Sequence, residues 1–230
     1  MAITTYSEWI CVELPALPYH KALNLQRELM HARKNKIVDR DIVLFLEHHS
    51  VFTLGKRGGI ENLKVSEQFL EKLNIPIVQA ERGGDITFHG PGQLVVYPIV
   101  DLKKAKLPVL EYIKRLENVM IRVANDWGIK AEQSPVNRGI WVGNNKLGSI
   151  GISVQRDISF HGFALNVNTW LAPFGWINPC GLQNIGMTSM QQELSRKVPM
   201  NRVRQSTRQH LEATFGVELI RKRLLDLKLQ

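Results

Sequence analysis

The stretch Arg82-Gly83-Gly84-Asp85-Ile86-Thr87-Phe88-His89-Gly90-Pro91-Gly92-Gln93 most limits what this chain can fold into. Glycines cost a helix or strand backbone entropy, and Pro91 brings no amide donor, so a regular element over 82–92 is not expected. What the glycines offer is close approach of backbone to a ligand. A phosphate cradle is one reading of such a loop. No Gly-Lys-Ser/Thr follows it, however, and the next element reads as an apolar strand, Leu94 to Val100, rather than a helix.

Around this loop, strands and helices interleave. Tyr6 to Leu14 reads as a strand, and Leu17 to about Lys34 as a helix with Leu17, Leu25, Leu29 and Met30 near helical spacing. Asp41 to Glu47 is an apolar run of buried-strand type. A short helix over Val65–Leu73 and a strand from Pro76 through Val78 follow. The clearest helix carries a stripe of Val109, Leu110, Ile113, Leu116, Met120, Val123 and Trp127, with Pro108 at its start and Gly128 closing it. Gly139–Val142 and Leu147–Val154 flank Gly143-Asn144-Asn145, which predicts a hairpin with left-handed asparagines and Lys146 just after the turn. Ser159 to Val167 is a further strand, and Trp170 to Leu182 a loop. Asn201 to Phe215 is a helix with Val203, Leu211 and Phe215 inward and Gly216 as its stop. The pattern predicts an α/β or α+β domain, a mixed sheet flanked by helices. No repeat or linker divides the chain, so residues 1–230 are expected to form a single catalytic domain.

With 230 residues, 44% hydrophobic and 22% charged, the chain has material for one sizeable core. No apolar run approaches the roughly 18 residues of a membrane span. The first nine residues lack the basic start and apolar block of a signal peptide. Two cysteines do not make a disulfide framework, and a reducing cytoplasm is expected. The net charge of +9 predicts attraction to acidic partners. Nucleic acid, acidic carrier proteins and a merely solvated basic surface all fit that charge. Against nucleic acid, the aromatics do not interleave with the basic residues, and no helix-turn-helix, zinc-finger or RNA-recognition signature occurs.

Two residues carry the sharpest chemical signal. Cys180, between Pro179 and Gly181, is a candidate nucleophile: an unperturbed thiol with pKa about 8.5 is mostly protonated at neutral pH, and a neighbouring ammonium lowers that pKa. Lys146 is the candidate ammonium, and backbone amides beside Cys180 the candidate oxyanion donors. A lone cysteine is otherwise a small buried side chain, and a lysine after a turn is otherwise solvated. His48, His89 and His161 invite a metal reading, but no pair sits at i, i+4 on a helix, and no metal is expected. His89 and His161 read better as pocket or hydrogen-bonding residues.

Four segments in order, Arg82–Gln93, Lys146-Leu147-Gly148-Ser149-Ile150-Gly151, His161-Gly162-Phe163-Ala164-Leu165-Asn166 and Pro179-Cys180-Gly181, resemble the octanoyl (lipoyl) transferases of lipoate biosynthesis. The likeness extends upstream to Leu46-Glu47-His48 and Thr53-Leu54-Gly55. His49 and Ser50 stand where that family commonly has prolines, and Phe88 where it often has tyrosine. The resemblance implies a biotin/lipoate ligase-like catalytic fold and no cofactor. It implies that octanoate passes from octanoyl-acyl carrier protein to a lysine of a lipoyl domain, through a thioester on Cys180 assisted by Lys146. The acceptors implied are lipoyl domains of 2-oxoacid dehydrogenase E2 subunits and the glycine cleavage H protein. By the same resemblance Arg82, Gly83, Gly84, Asp85, Ile86, Thr87, Phe88 and His89 form one wall of the acyl pocket, with the Phe88 ring as apolar surface for the fatty tail. Ser149, Ile150, Gly151, Gly162, Phe163 and Ala164 are the remaining substrate contacts implied. An ATP-dependent lipoate or biotin ligase, a non-catalytic binding module and a thioesterase are the rival readings. Loss of activity in Cys180→Ala separates the first, absence of a covalent intermediate the second, and water as acceptor the third.

Overall fold

A computed structural model describes residues 7–134, 137–178 and 186–227. Along the chain, β1 (Ser7–Glu13), α1 (Tyr19–Lys34), β2 (Asp41–Leu46) and β3 (Val51–Leu54) come first. Next are α2 (Glu67–Lys72), β4 (Ile77–Gln79), β5 (Ile86–His89), β6 (Gln93–Asp101) and α3 (Val109–Asp126). Then follow β7 (Glu132–Gln133), β8 (Ile140–Val142), β9 (Asn145–Gln155) and β10 (Ile158–Asn166). β11 (Gly186–Met187), α4 (Met190–Leu194), α5 (Met200–Phe215) and β12 (Val217–Arg221) complete the order.

The large sheet runs β12-β1-β2-β6-β10-β9-β8-β7, with β11 pairing on β9. Pairing is parallel where a helix makes the crossover, as between β1 and β2 through α1. It is antiparallel from β2 through β6, β10, β9 and β8 to β7. A small sheet, β4-β3-β5, stands apart. This is a mixed α+β architecture, as the sequence pattern predicts.

The two faces of the large sheet bury separate cores. Against α3 and α5 pack Phe45, Val96, Phe163 and Leu165 with Tyr112, Leu116, Met120 and Leu211. Against α1 pack Leu44, Tyr97, Phe160 and Ala164 with Ala22, Leu29 and Met30. Side chains alternate between faces along each strand, which is why β6 and β10 feed both cores. Buried side chains of this size each contribute about 1.5–3 kcal/mol. Cys11 lies in the α3-side core, and burial pushes its thiol up to about 12, so it stays a protonated, inert hydrophobe.

Several details differ from the sequence expectations. The 82–92 stretch is not irregular throughout: β5 occupies Ile86–His89 and pairs antiparallel with β3, because the glycines fall only on its flanks. In α3 the buried face is Tyr112, Leu116, Val119, Met120 and Val123, whereas Val109 and Leu110 are about half exposed. Four-residue spacing from Tyr112 selects a face that the first turn does not share. Leu17 precedes α1 rather than joining it, bridging His48. The left-handed position of the β8–β9 turn is Gly143, φ +54°, not an asparagine; with no Cβ it meets no strain there. No helix among the described residues is long and apolar enough to cross a membrane.

Candidate active site

A cavity of about 490 Å³ opens where the small sheet leans over the α1 face of β9 and β10. Its floor is made of small residues: Ser149 pairs with Ala164, and Gly151 with Gly162. Gly162 is as small as the sheet requires, since a Cβ there would sit 2.1 Å from the Val96 carbonyl oxygen of β6. Crossing β10 from β9 leads to Tyr97 on β6, two interstrand spacings or about 10 Å away.

The roof is the glycine segment. Gly83 donates its N–H to the Ile152 carbonyl at 2.8 Å, which seats the segment on β9 beyond the point where β8 stops pairing. Arg82, buried to 7% exposure, forks onto β3: Nε and Nη2 donate to Thr53 Oγ1 at 3.1 and 2.7 Å, and Nη2 to the Thr53 carbonyl at 2.6 Å. Its Nη1 donates to the Gly83 carbonyl. Gly84 turns the chain at φ +88°, and its carbonyl accepts from Arg57 N. Asp85 accepts two hydrogen bonds from Asn62 Nδ2, at 3.0 and 2.9 Å.

Strand alternation in β5 then sorts the next residues. Thr87 and His89 face the cavity, and Ile86 lines it at the edge. Phe88 does not line it. Its ring points to the opposite side, among Phe52, Phe174 and Ile177, with Phe52 and Phe174 centroids at 5.4 and 5.6 Å. The expectation that Phe88 offers surface to a fatty tail is therefore wrong: a two-residue period cannot aim both Phe88 and its neighbours inward.

The inner wall is polar. His89 Nδ1 donates to Gln93 Oε1 at 2.7 Å, and Gln93 Nε2 donates to Asn166 Oδ1 at 2.9 Å. This fixes His89 as the tautomer whose Nε2 is unprotonated, and burial holds its pKa well below the usual histidine value. Behind the wall, Tyr97 donates its hydroxyl to His48 Nε2 at 2.8 Å, and His48 Nδ1 donates to the Leu17 carbonyl at 3.0 Å. Burial pushes His48 down to about 4.

His161 breaks the strand's alternation. Its neighbours in phase face α3, where Ser159 Oγ meets the Tyr112 hydroxyl at 3.2 Å and Phe163 packs. A φ of +59° turns His161 to the other face, stacked on Phe160 at 4.7 Å and edge-on to Tyr97 at 6.0 Å. Left-handed backbone is costly outside glycine, so this side chain is held against a strain of roughly 1–2 kcal/mol.

Lys146 enters from the opposite side. It is the second residue of β9, only 8% exposed, and donates from Nζ to Asn137 Oδ1 at 2.7 Å. Its Nζ also lies 5.3 Å from the centre of the Trp141 ring, within cation–π range. Arg57, Arg82, Arg138 and Lys146 against Asp85 give the cavity a positive lining. Among the described residues no cluster of His, Cys, Asp or Glu could hold a metal.

Of the residues singled out in the sequence, the cavity gathers Arg82, Gly83, Gly84, Asp85, Ile86, Thr87, His89, Lys146, Ser149, Ile150, Gly151, Gly162, Phe163 and Ala164. Cys180 lies outside the described residues. Asn178, just before it, donates its N–H to the Asn62 carbonyl, and Gly186–Met187, after it, pair with Asn145–Lys146. The cavity also holds Tyr97, Asn137 and Arg138, which the sequence reading did not select. Tyr97 sits in an apolar strand and reads as core. Asn137 and Arg138 sit in a patternless loop that gives no signal.

The architecture is that of the lipoate- and biotin-protein ligases. A putative lipoate protein ligase from T. acidophilum with bound lipoic acid superposes with TM-score 0.74 at 15% identity, over 97% of this chain and 91% of that one. A lipoate-protein ligase A bound with ATP gives 0.76 at 14% identity, over 97% and 91%. A biotin protein ligase from Aquifex aeolicus gives 0.57 at 11%, over 92% and 71%. The sequence narrows this further. Residues 18–212 match the lipoyl protein ligase A/B catalytic domain. An octanoyltransferase of Desulfotalea psychrophila is 47% identical over 79% of this chain and 82% of its own length, and one of Syntrophobacter fumaroxidans 45% identical over 89% of each. The chain belongs to the octanoyltransferases, a family of acyltransferase enzymes within the lipoyl protein ligase A/B group.

Proposed function

We propose that the protein transfers an octanoyl group from acyl carrier protein to a lysine of lipoyl domains, through a thioester on Cys180 with Lys146 as proton carrier. The observation that carries the reading is the placement of Lys146: a lysine drawn out of solvent, at the end of a cavity floored by small residues, held by Asn137 and Trp141. Such burial of a charged side chain needs a use or a partner. Membership among octanoyltransferases names the cargo.

The Cys180 thiolate, formed beside the Lys146 ammonium, attacks the carrier thioester carbonyl. The carrier sulfur leaves and takes the proton from Lys146. In the second half the acceptor lysine amine attacks the acyl-Cys180 carbonyl, gives its proton to the now neutral Lys146, and the Cys180 thiolate departs. Backbone amides beside Cys180 bind the oxyanion of each tetrahedral intermediate. Thioester becomes thioester, then amide, so no ATP is consumed. The whole chain acts as one catalytic unit in the cytoplasm. Its +9 charge suits acidic partners: the carrier as donor, and E2 lipoyl domains and the glycine cleavage H protein as acceptors.

Intact-mass measurement after incubation with octanoyl-carrier, without ATP, tests the reading. One octanoyl group is expected on the wild type, lost on addition of an apo-lipoyl domain and absent from Cys180→Ala. An unmodified wild type, or a Cys180→Ala enzyme that still transfers octanoate, overturns it.

A further inference from the structure

The inner end of the cavity holds polar atoms that the fold leaves unsatisfied. His161 lines the cavity and is 1% exposed, yet neither Nδ1 nor Nε2 has a hydrogen-bond partner among the described residues. The nearest acid oxygen, Glu81 Oε2, is 3.9 Å from His161 Nε2, beyond hydrogen-bond reach, and is itself unsatisfied. Gln26 Nε2, on α1, is buried without a partner as well. Buried polar side chains are nearly always paired, and a neutral imidazole presents one donor and one acceptor. Here the strand adopts a left-handed residue to turn that imidazole toward the cavity and away from the α3-side core.

We infer that His161 sets the length of acyl chain the cavity accepts, acting as a polar stop that spares hydrogen-bonding groups and penalises methylenes. The floor from β9 to Tyr97 is apolar or small, and suits a hydrocarbon tail. A tail that reaches past Tyr97 must lay methylenes against ring nitrogens that already lack a partner, and gives them nothing to offset their burial. A tail of equal length ending in a hydroxyl restores a partner to the ring. Discrimination is therefore chemical rather than steric: the wall rejects carbon where it admits oxygen. The acyl-transfer reading supplies only the name of the cargo; the stop itself rests on the cavity.

Direct calorimetric binding of free acids to the wild-type protein tests the inference without requiring turnover. Octanoate, decanoate and ω-hydroxynonanoate are compared, the last matching decanoate in chain length atom for atom. ω-Hydroxynonanoate is expected to bind at least about tenfold more tightly than decanoate. Equal affinity for the two means a steric wall and overturns the inference. Two variants extend the test. His161→Asn keeps a polar side chain that tolerates left-handed backbone and is expected to retain the ranking, whereas His161→Leu is expected to reverse it in favour of decanoate. Should His161→Leu not fold, loss of the ranking in a folded His161→Gly serves the same purpose, and its persistence there overturns the assignment to His161. A protein that ranks the acids as expected but transfers no octanoate keeps this inference and loses only the reaction proposed above.

Discussion

Glu117 and Gly139 are joined across the α3-side core: the buried Glu117 carboxyl accepts the Gly139 N–H at 2.9 Å through Oε1. Its other oxygen is 3.7 Å from Arg138 Nη1. One helix side chain thus pins the turn that presents Asn137 to Lys146.

Glu117 is accordingly a positioning residue. Glu117→Ala is expected to leave the Gly139 N–H unpaired, at a cost of about 1–3 kcal/mol in unfolding free energy. It is also expected to lower kcat for octanoyl transfer about tenfold with little change in KM, because Lys146 loses its alignment. Glu117→Gln keeps an acceptor and is expected to recover most of kcat. Loss of stability with kcat intact would reduce Glu117 to a packing residue.

Arg82→Lys removes a planar fork that one ammonium cannot replace on Thr53. The roof segment 82–85 loses its anchor on β3. Steady-state assays are expected to give a KM for the acyl donor raised about tenfold, with the smaller effect on kcat.

Gly162→Ala places a methyl against the Val96 carbonyl, a backbone atom that cannot swing aside. The cost expected is about 3 kcal/mol, at the upper end for overpacking, read as a lowered Tm. Gly151 is more forgiving, since a Cβ there meets the Gly83 carbonyl at 3.0 Å and Arg82 Cδ at 3.2 Å, far less severe than the contact at Gly162. Gly151→Ala is expected to fold and to bind octanoate more weakly.

Acid should destabilise the protein through its buried histidines. His48 titrates at 6.5 when unfolded but at about 4 in the fold, and His161 is pushed down to about 3, chiefly by burial. Between those values the unfolded chain binds more protons, so stability is complete above pH 6.5 and falls as pH drops through that window. Denaturant titrations at pH 7 and pH 5 are expected to show the loss. His48→Gln is expected to be less stable at pH 7 yet to show a shallower slope.

The sequence carried the central strands β1, β2, β6, β9 and β10 and the helices α1, α3 and α5, because apolar runs there are punctuated by glycine and proline. It did not carry β3, β5, β7, β11 and β12, which are short and made by pairing, or the short helix α4. It also drew together the cavity residues, whose motifs lie far apart in the chain. What it hid was orientation. Phe88 belongs to the right segment and faces the wrong way, because β5 begins its pleat at a residue that only pairing with β3 determines. His161 faces the cavity through a single backbone angle that no residue pattern announces. Tyr97 is written in the alphabet of a core strand, and it both packs in the α1-side core and lines the cavity.

The main-chain bond from Gly83 to Ile152 joins the cavity's roof to the large sheet that forms its floor. Gly83 makes this attachment with amide and carbonyl groups that every residue owns, whereas Arg82 and Asp85 hold the same segment through their side chains. A change at Gly83 can therefore keep the seam to the sheet, while a change at Arg82 or Asp85 loosens the whole cover.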